Sequence, residues 1–293
     1  MITILVTGKN SQLAQCIDSI ASQYPYLKFI FKTSKELDIT NRIQVSSVFE
    51  NSDKFDFCIN CAAFTAVDNA ENEKEKAYQV NVEGVKNIAE ACRDNHVILV
   101  HVSSDFVFDG NSLTPYTEES VANPLSLYGE TKLNGEHIIQ QVLSSYFIIR
   151  TSWLYSEYGN NFFKTMLRLS EERKEIGVVD DQIGCPTYAN DLAEVILNLL
   201  SSKNSSFGIY NFSNSGAASW FEFAREVFKI SNSKIKLNPI ETKDYPTPAK
   251  RPKYSVLDTS KIKETLDIDI PNWKDGLRRT YYNLIIKSCK ELK

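Results

Sequence analysis

Two rhythms of apolar residues alternate along the first half of the chain. Short runs that are apolar almost throughout occur at Ile2-Thr3-Ile4-Leu5-Val6, Leu27-Lys28-Phe29-Ile30-Phe31, Asp56 to Cys61, Val97-Ile98-Leu99-Val100-His101-Val102 and Tyr146 to Thr151. Runs of this length and continuity predict strands buried on both faces, as in a parallel sheet. Between them the apolar positions recur at helical spacing. This spacing predicts helices from the glycine turn at Gly8 to about residue 22, over 41–51, over 72–95 and over a stretch opened by Asn123-Pro124. Asp38 or Thr40 is placed to cap the 41–51 helix. In the 72–95 stretch Val80, Asn81, Val85, Ile88, Ala89 and Cys92 face inward, and the polar Asn81 either bonds backbone or braces the strand ends. Five strand–helix alternations predict an α/β fold with a doubly wound parallel sheet.

Beyond residue 152 the pattern loosens. An amphipathic helix spans Asn160 to Glu172, a turn-rich stretch covers 178–187, and a helix covers 189–201. A late strand, Phe207 to Phe212, precedes a helix at 219–230. A basic, proline-stiffened segment, Pro246 to Lys253, precedes a last helix from about Trp273 to Lys287.

The bulk numbers narrow the class. A chain of 293 residues with 42% hydrophobic and 24% charged residues can bury a large core. A net charge of −4 without a dense basic cluster argues against nucleic acid. No apolar run approaches the roughly 18 residues needed to span a bilayer. The apolar N-terminus lacks a basic lead, so it reads as a first strand, not a signal peptide. Cys58-x-x-Cys61 lies on a strand, which sends the two side chains to opposite faces. With no neighbouring Cys/His pair it reads as structural and not as a metal site. Six cysteines in so core-rich a chain point to a reducing cytoplasm.

Strand, glycine turn and helix at the start are the first unit of a dinucleotide-binding fold. The turn brings backbone N–H groups and a helix N-terminus against a pyrophosphate. A fingerprint of this spacing would place Gly at 8, 11 and 14, and here only Gly8 is present. Ser11 and Ala14 are small enough for close approach. At the end of the second strand, Lys32-Thr33-Ser34 stands where an acidic residue would hold a ribose hydroxyl. A cation and hydroxyls there suit a 2′-phosphate, which favours NADPH over NADH. Ala62 and Ala63 would let a cofactor lie close to the third strand end. The fourth strand ends in Ser103-Ser104-Asp105. The Ser hydroxyls are placed to hydrogen-bond a carbonyl oxygen also reached by Tyr128. Tyr128 and Lys132 stand four apart on one helix, where a cation near a phenol lowers its pKa. His101 reads as a core histidine, and His96 and His137 have no metal-spaced partner.

Thr7-Gly8, Asn60-Cys61-Ala62-Ala63, Ser103-Ser104-Asp105 and Tyr128-x-x-x-Lys132, in this order and spacing, resemble the extended short-chain dehydrogenase/reductases. Five further stretches resemble the dTDP-4-dehydrorhamnose reductase branch over nearly the whole chain. They are Ala63 to Asp68, Ser104 to Gly110, Tyr128 to Leu133, Arg150 to Tyr155 and Lys250-Arg251-Pro252. The chain departs at positions 11 and 14, and has Ser104 where the family commonly has Thr. The resemblance implies a Rossmann-type sheet in residues 1–152, with 189–212 returning to it. A smaller, interleaved C-terminal domain, 153–188 and 213–293, would bind a sugar nucleotide. It implies a cofactor, NADPH or NADH, held by Gly8, Asn10, Ser11, Gln12, Leu13, Lys32, Asp38, Ile39, Cys61, Ala62, Ala63, Thr65, Ser103, Tyr128 and Lys132. Ser104, Tyr128 and Lys132 would reduce the 4-keto group of a dTDP-6-deoxy sugar. Val67, Ser104, Asp105 and Trp153 would contact that sugar and Arg251 its diphosphate. No metal is implied, and a homodimer is compatible. The alternatives are a reductase or epimerase for another nucleotide-linked 6-deoxy sugar, and a non-catalytic nucleotide-binding regulatory subunit.

Overall fold

The computed structural model describes residues 1–50, 54–202 and 205–291. Its centre is a six-stranded sheet in which every neighbouring pair is parallel. Five strands are those expected from the apolar runs: β1 (Ile2–Thr7), β2 (Leu27–Lys32), β3 (Phe57–Asn60), β4 (Ile98–Ser104) and β5 (Tyr146–Thr151). The late strand Gly208–Asn211 adds at the outer edge of β5, so the order runs from it through β5, β4, β3 and β1 to β2. The strands are apolar on both faces because both faces are covered. Helices Gln12–Ile20 and Ala189–Ser201 pack on one side, around Ile4, Val6, Val100 and Ile149. Helices Arg42–Glu50, Val85–Asp94 and Leu127–Val142 cover the other, around Leu5, Cys58, Leu99 and Ile148. The return of residues 189–211 to the sheet leaves the remaining segments to form a second core. That core gathers Tyr155, Phe163, Tyr188, Phe223 and Trp273.

Four local features differ from the sequence expectation. The 72–95 stretch is not one α-helix. Lys74–Tyr78 passes into a π-helical turn, Gln79–Gly84, before Val85–Asp94 resumes. The wide turn carries Asn81, whose amide Oδ1 accepts from Phe64 N at 2.9 Å. Its Nδ2 donates to Phe64 O at 3.1 Å and to Thr131 Oγ1 at 3.1 Å. Such turns are commonly kept where a side chain must be re-aimed. Asn41, not Asp38 or Thr40, accepts the Gln44 N–H at the start of Arg42–Glu50, while Asp38 Oδ1 is taken by the N–H and hydroxyl of Thr40. Ser126, not Asn123-Pro124, caps the Leu127–Val142 helix by accepting from Gly129 N. Within the turn-rich region, Glu175–Val179 pairs in parallel with Lys236–Ile240. Among the described residues no helix is long and apolar enough to cross a membrane.

Candidate active site

The carboxyl ends of β1, β3 and β4 open onto one crevice. Gly8 follows β1 with φ +65°, a left-handed conformation that favours glycine, and a Cβ there would come within 2.9 Å of Ala62 N. The backbone therefore closes to a distance that only glycine permits, leaving a cradle against the segment after β3. Ser11 sits at φ −70°, ψ 157°, ordinary extended backbone, and its hydroxyl accepts from Ala14 N at 3.3 Å as the helix N-cap. Ser at this position thus needs no glycine geometry and adds a cap, normally worth about 1 kcal/mol. The first-turn N–H groups of Gln12–Ile20 have no intrahelical acceptor, and this is the seat a pyrophosphate requires. Cradle and helix end together fit a dinucleotide.

Other residues expected at the cofactor fall in two groups. Ala62, Ala63 and Cys61 line the half-buried segment after β3, with Thr65 exposed beyond them. Asn10 faces solvent and its carbonyl accepts from Gln15 Nε2. Leu13 and Ile39 are buried in the two cores, so only their backbone can face a ligand. Gln12 Oε1 is engaged by Asn161 Nδ2 at 2.8 Å and by Ser156 Oγ at 3.1 Å, tying the turn to the second lobe. Lys32 ends β2 beside Thr7. Next to it, Glu36 accepts from both the N–H and the hydroxyl of Thr33, at 2.8 and 2.7 Å. Ser103 turns its hydroxyl away from the crevice, donating it to Glu136.

Tyr128 and Ser104 meet. The Leu127–Val142 helix starts hard against the turn Asp105–Val107, because Gly129 has no side chain. A Cβ there would lie 2.1 Å from Phe106 O. Phe106 and Tyr128 then pack edge to face with centroids 5.5 Å apart. Burial pushes the Tyr128 phenol up to about 12; a hydrogen bond with the Ser104 side chain lowers it and the Asp105 carboxylate raises it. The Ser104 hydroxyl also donates to Asp105 Oδ1 at 3.1 Å. Burial raises Asp105 to about 6, against hydrogen bonds from Ser255 and Ser104. Its Oδ2 is buried and has no hydrogen-bond partner among the described residues.

Lys132 departs from the expected role. Its Nζ donates to Val102 O at 2.7 Å and lies 3.2 Å from His101 Nε2. Burial lowers it to about 8, opposed by the Glu136 carboxylate. The phenol is not brought down by this cation: burial dominates, and Tyr128 stays a protonated donor at neutral pH. Glu136, one turn beyond Lys132, is locked by Arg150 through Nε at 3.0 Å and Nη2 at 2.7 Å, with both side chains at most 4% exposed. His101 and this ion pair were not identified as site residues from sequence. The signal was a His inside an otherwise apolar strand.

On the substrate side, Val67 opens the short helix Val67–Ala70 and Asp68 follows it. Arg251 forks onto Asp68 with contacts of 2.9 and 2.7 Å, and the pair holds Asp68 below the usual carboxylate range. A diphosphate would therefore share this guanidinium with a carboxylate. Both residues line a cavity of about 590 Å³ with Phe162, Met166, Arg173, Trp220 and Tyr245. Trp153, at φ +45°, stacks on Trp220 with centroids 3.5 Å apart. One face of its indole is thus covered by Trp220.

With this geometry in place, comparisons with known proteins identify relatives. Residues 2–285 match the family model described as the RmlD substrate binding domain. The chain is 39% identical over 293 residues to a dTDP-4-dehydrorhamnose reductase of Sinorhizobium fredii, covering 97% of this chain and 98% of that one. It is 35% identical over 251 residues to a dTDP-4-keto-6-deoxy-D-glucose reductase of Streptomyces niveus, covering 85% and 86%. Among solved structures, a dTDP-4-dehydrorhamnose reductase of Bacillus anthracis in complex with NADP superposes with a TM-score of 0.93. It shares 39% identity, with 97% of this chain and 100% of that chain covered.

Proposed function

From the premise that this chain belongs to the RmlD substrate binding domain family, we propose how its site works as an NAD(P)H-dependent dTDP-4-dehydrorhamnose reductase. The substrate is dTDP-4-dehydro-6-deoxy-L-mannose and the product dTDP-L-rhamnose. The observation that carries the reading is the meeting of the Tyr128 and Ser104 hydroxyls beside a dinucleotide cradle. When bound in that cradle, NADPH, or NADH in its place, supplies a hydride to C4 of the sugar. Negative charge grows on the C4 oxygen. Tyr128, protonated because its pKa is about 12, gives that oxygen a proton, and Ser104 donates a hydrogen bond to it. Donors aimed in advance at such an oxygen are worth about 3–4 kcal/mol each.

Asp105 Oδ2 accepts from a sugar hydroxyl, and Val67 and the free edge of Trp153 bound the sugar. The cavity between Arg251 and Trp220 takes the dTDP portion. Residues 1–152 with 189–212 form the dinucleotide-binding domain; 153–188 and 213–293 hold the sugar nucleotide. Asp38, bonded to Thr40, and Lys32 face the adenosine end. The half-exposed apolar side chains Tyr282 and Ile285 support a homodimer, and free cysteines support a cytoplasmic setting.

The test follows NADPH absorbance with the dTDP-4-keto sugar generated in situ and identifies the product. Oxidation of NADPH with formation of dTDP-L-rhamnose is expected. Formation of a different 6-deoxy sugar would favour the second reading, which the Streptomyces niveus relative supports. An epimerase would show no net NADPH consumption.

A further inference from the structure

Lys132 is 2% exposed and ends a buried chain of polar contacts that crosses three strands. Thr7 on β1 donates its hydroxyl to Asn60 Oδ1 on β3 at 2.6 Å. Ala62 N, at 3.3 Å, donates to the same oxygen. Asn60 Nδ2 lies 3.2 Å from His101 Nδ1 on β4, and His101 Nε2 lies 3.2 Å from Lys132 Nζ. Thr7, Asn60 and His101 are each at most 1% exposed, so no water competes for these contacts.

The chain has a direction. Turning the Asn60 amide over would set N–H against N–H at Ala62 and leave the Thr7 proton without an acceptor. Asn60 Oδ1 is therefore the acceptor, and Nδ2 must donate to His101 Nδ1. Burial and the neighbouring ammonium keep His101 neutral, well below its ordinary range. A neutral ring that accepts at Nδ1 carries its one proton at Nε2. That N–H points at Lys132.

We propose that His101, held by Asn60 as the Nε2–H tautomer, is a positioning residue that aims an N–H at Lys132 Nζ and so sets how readily that amine holds its third proton. With its third proton in place Nζ has no lone pair: one donor goes to Val102 O, the others turn to the crevice, and the His101 N–H opposes the ammonium as donor against donor. When Lys132 gives up that proton to solvent, an N–H bond breaks, its electron pair stays on Nζ, and this lone pair accepts from the His101 N–H; solvent returns the proton in the reverse step. Besides His101, the charged group acting on Nζ is Glu136 on its own helix, held by Arg150 on β5; Tyr128, one turn earlier on that helix, has Asp105 beside it.

The kinetic consequence rests on the reductase reading; the tautomer does not. His96 and His137 are exposed, and His96 has φ +55°, which Asn tolerates. In a His96→Asn, His137→Gln variant, ¹⁵N chemical shifts of the one remaining imidazole read its tautomer without substrate. A protonated Nε2 and bare Nδ1 at neutral pH are expected; a protonated Nδ1, or an imidazolium, overturns the proposal. Asn60→Asp keeps the shape and the Thr7 and Ala62 contacts but accepts from Nδ1–H, which turns Nε2 into an acceptor for the ammonium. In that variant the Nδ1–H tautomer should appear, and the basic limb of kcat/KM should move up by roughly one pH unit or more. A folded Asn60→Asp enzyme with an unmoved basic limb also overturns it.

Discussion

Burial acts on the crevice's hydroxyl, carboxyl and amine in opposite senses, and chemistry follows from the differences. The phenol is driven up and remains a donor, whereas the amine is driven down towards neutrality. Tyr128→Phe should keep NADPH binding, measured by cofactor titration, and lose about three orders of magnitude in kcat. Asp105 offers a sign that stability measurements can read. Its carboxyl titrates at about 6 in the folded chain against 3.8 ordinarily, so the folded state binds the proton more tightly. That contribution is fully present below 3.8 and is lost as pH rises through 6. At neutral pH the buried charge costs on the order of 3 kcal/mol. Asp105→Asn should therefore melt higher than the parent at pH 7 and level with it at pH 4, while losing activity. The meeting of Tyr128 and Ser104 was legible in the sequence because each lies in a short stretch of fixed spacing, whereas the contacts that Lys132 makes were not. His101 and the Glu136–Arg150 pair were not, since their meaning comes from partners on other strands.

At the scale of elements, the parallel strands were readable as continuous apolar runs, because burial on both faces leaves no alternation to confuse them. What escaped is what depends on a distant partner. The π-helical turn exists for Asn81's contacts to Phe64 and Thr131, and Glu175–Val179 is a strand only through Lys236–Ile240. Missing glycines at 11 and 14 mattered less than the motif suggests. Ser11 needs no unusual backbone and caps the helix. The tightest junction is Gly129 on Phe106 O, which sets the Tyr128 helix against the Ser104 turn. Gly129→Ala should force them apart and lower kcat about a hundredfold, with circular dichroism close to that of the parent. An alanine variant with undiminished kcat would show that the junction can relax.

Across the whole molecule, the two lobes share polar ties. Gln12 reaches Ser156 and Asn161, and Asp68 pairs with Arg251. These cross-links join segments more than a hundred residues apart in the chain, so no local pattern announces them. Arg251→Lys keeps a charge but loses the two-pronged fork. It should raise KM for the sugar nucleotide about tenfold, with KM for NADPH unchanged.

The indole pair has one more consequence. The chain has three tryptophans, and the third, Trp273, is sealed in the second core at 3% exposure. Trp220 lines the proposed dTDP cavity and is in van der Waals contact with Trp153. Arrival of the nucleotide alters the surroundings of two emitters at once and leaves the third as an internal reference. Fluorescence should thus report occupancy with no label attached, and Trp220→Phe should abolish most of that signal.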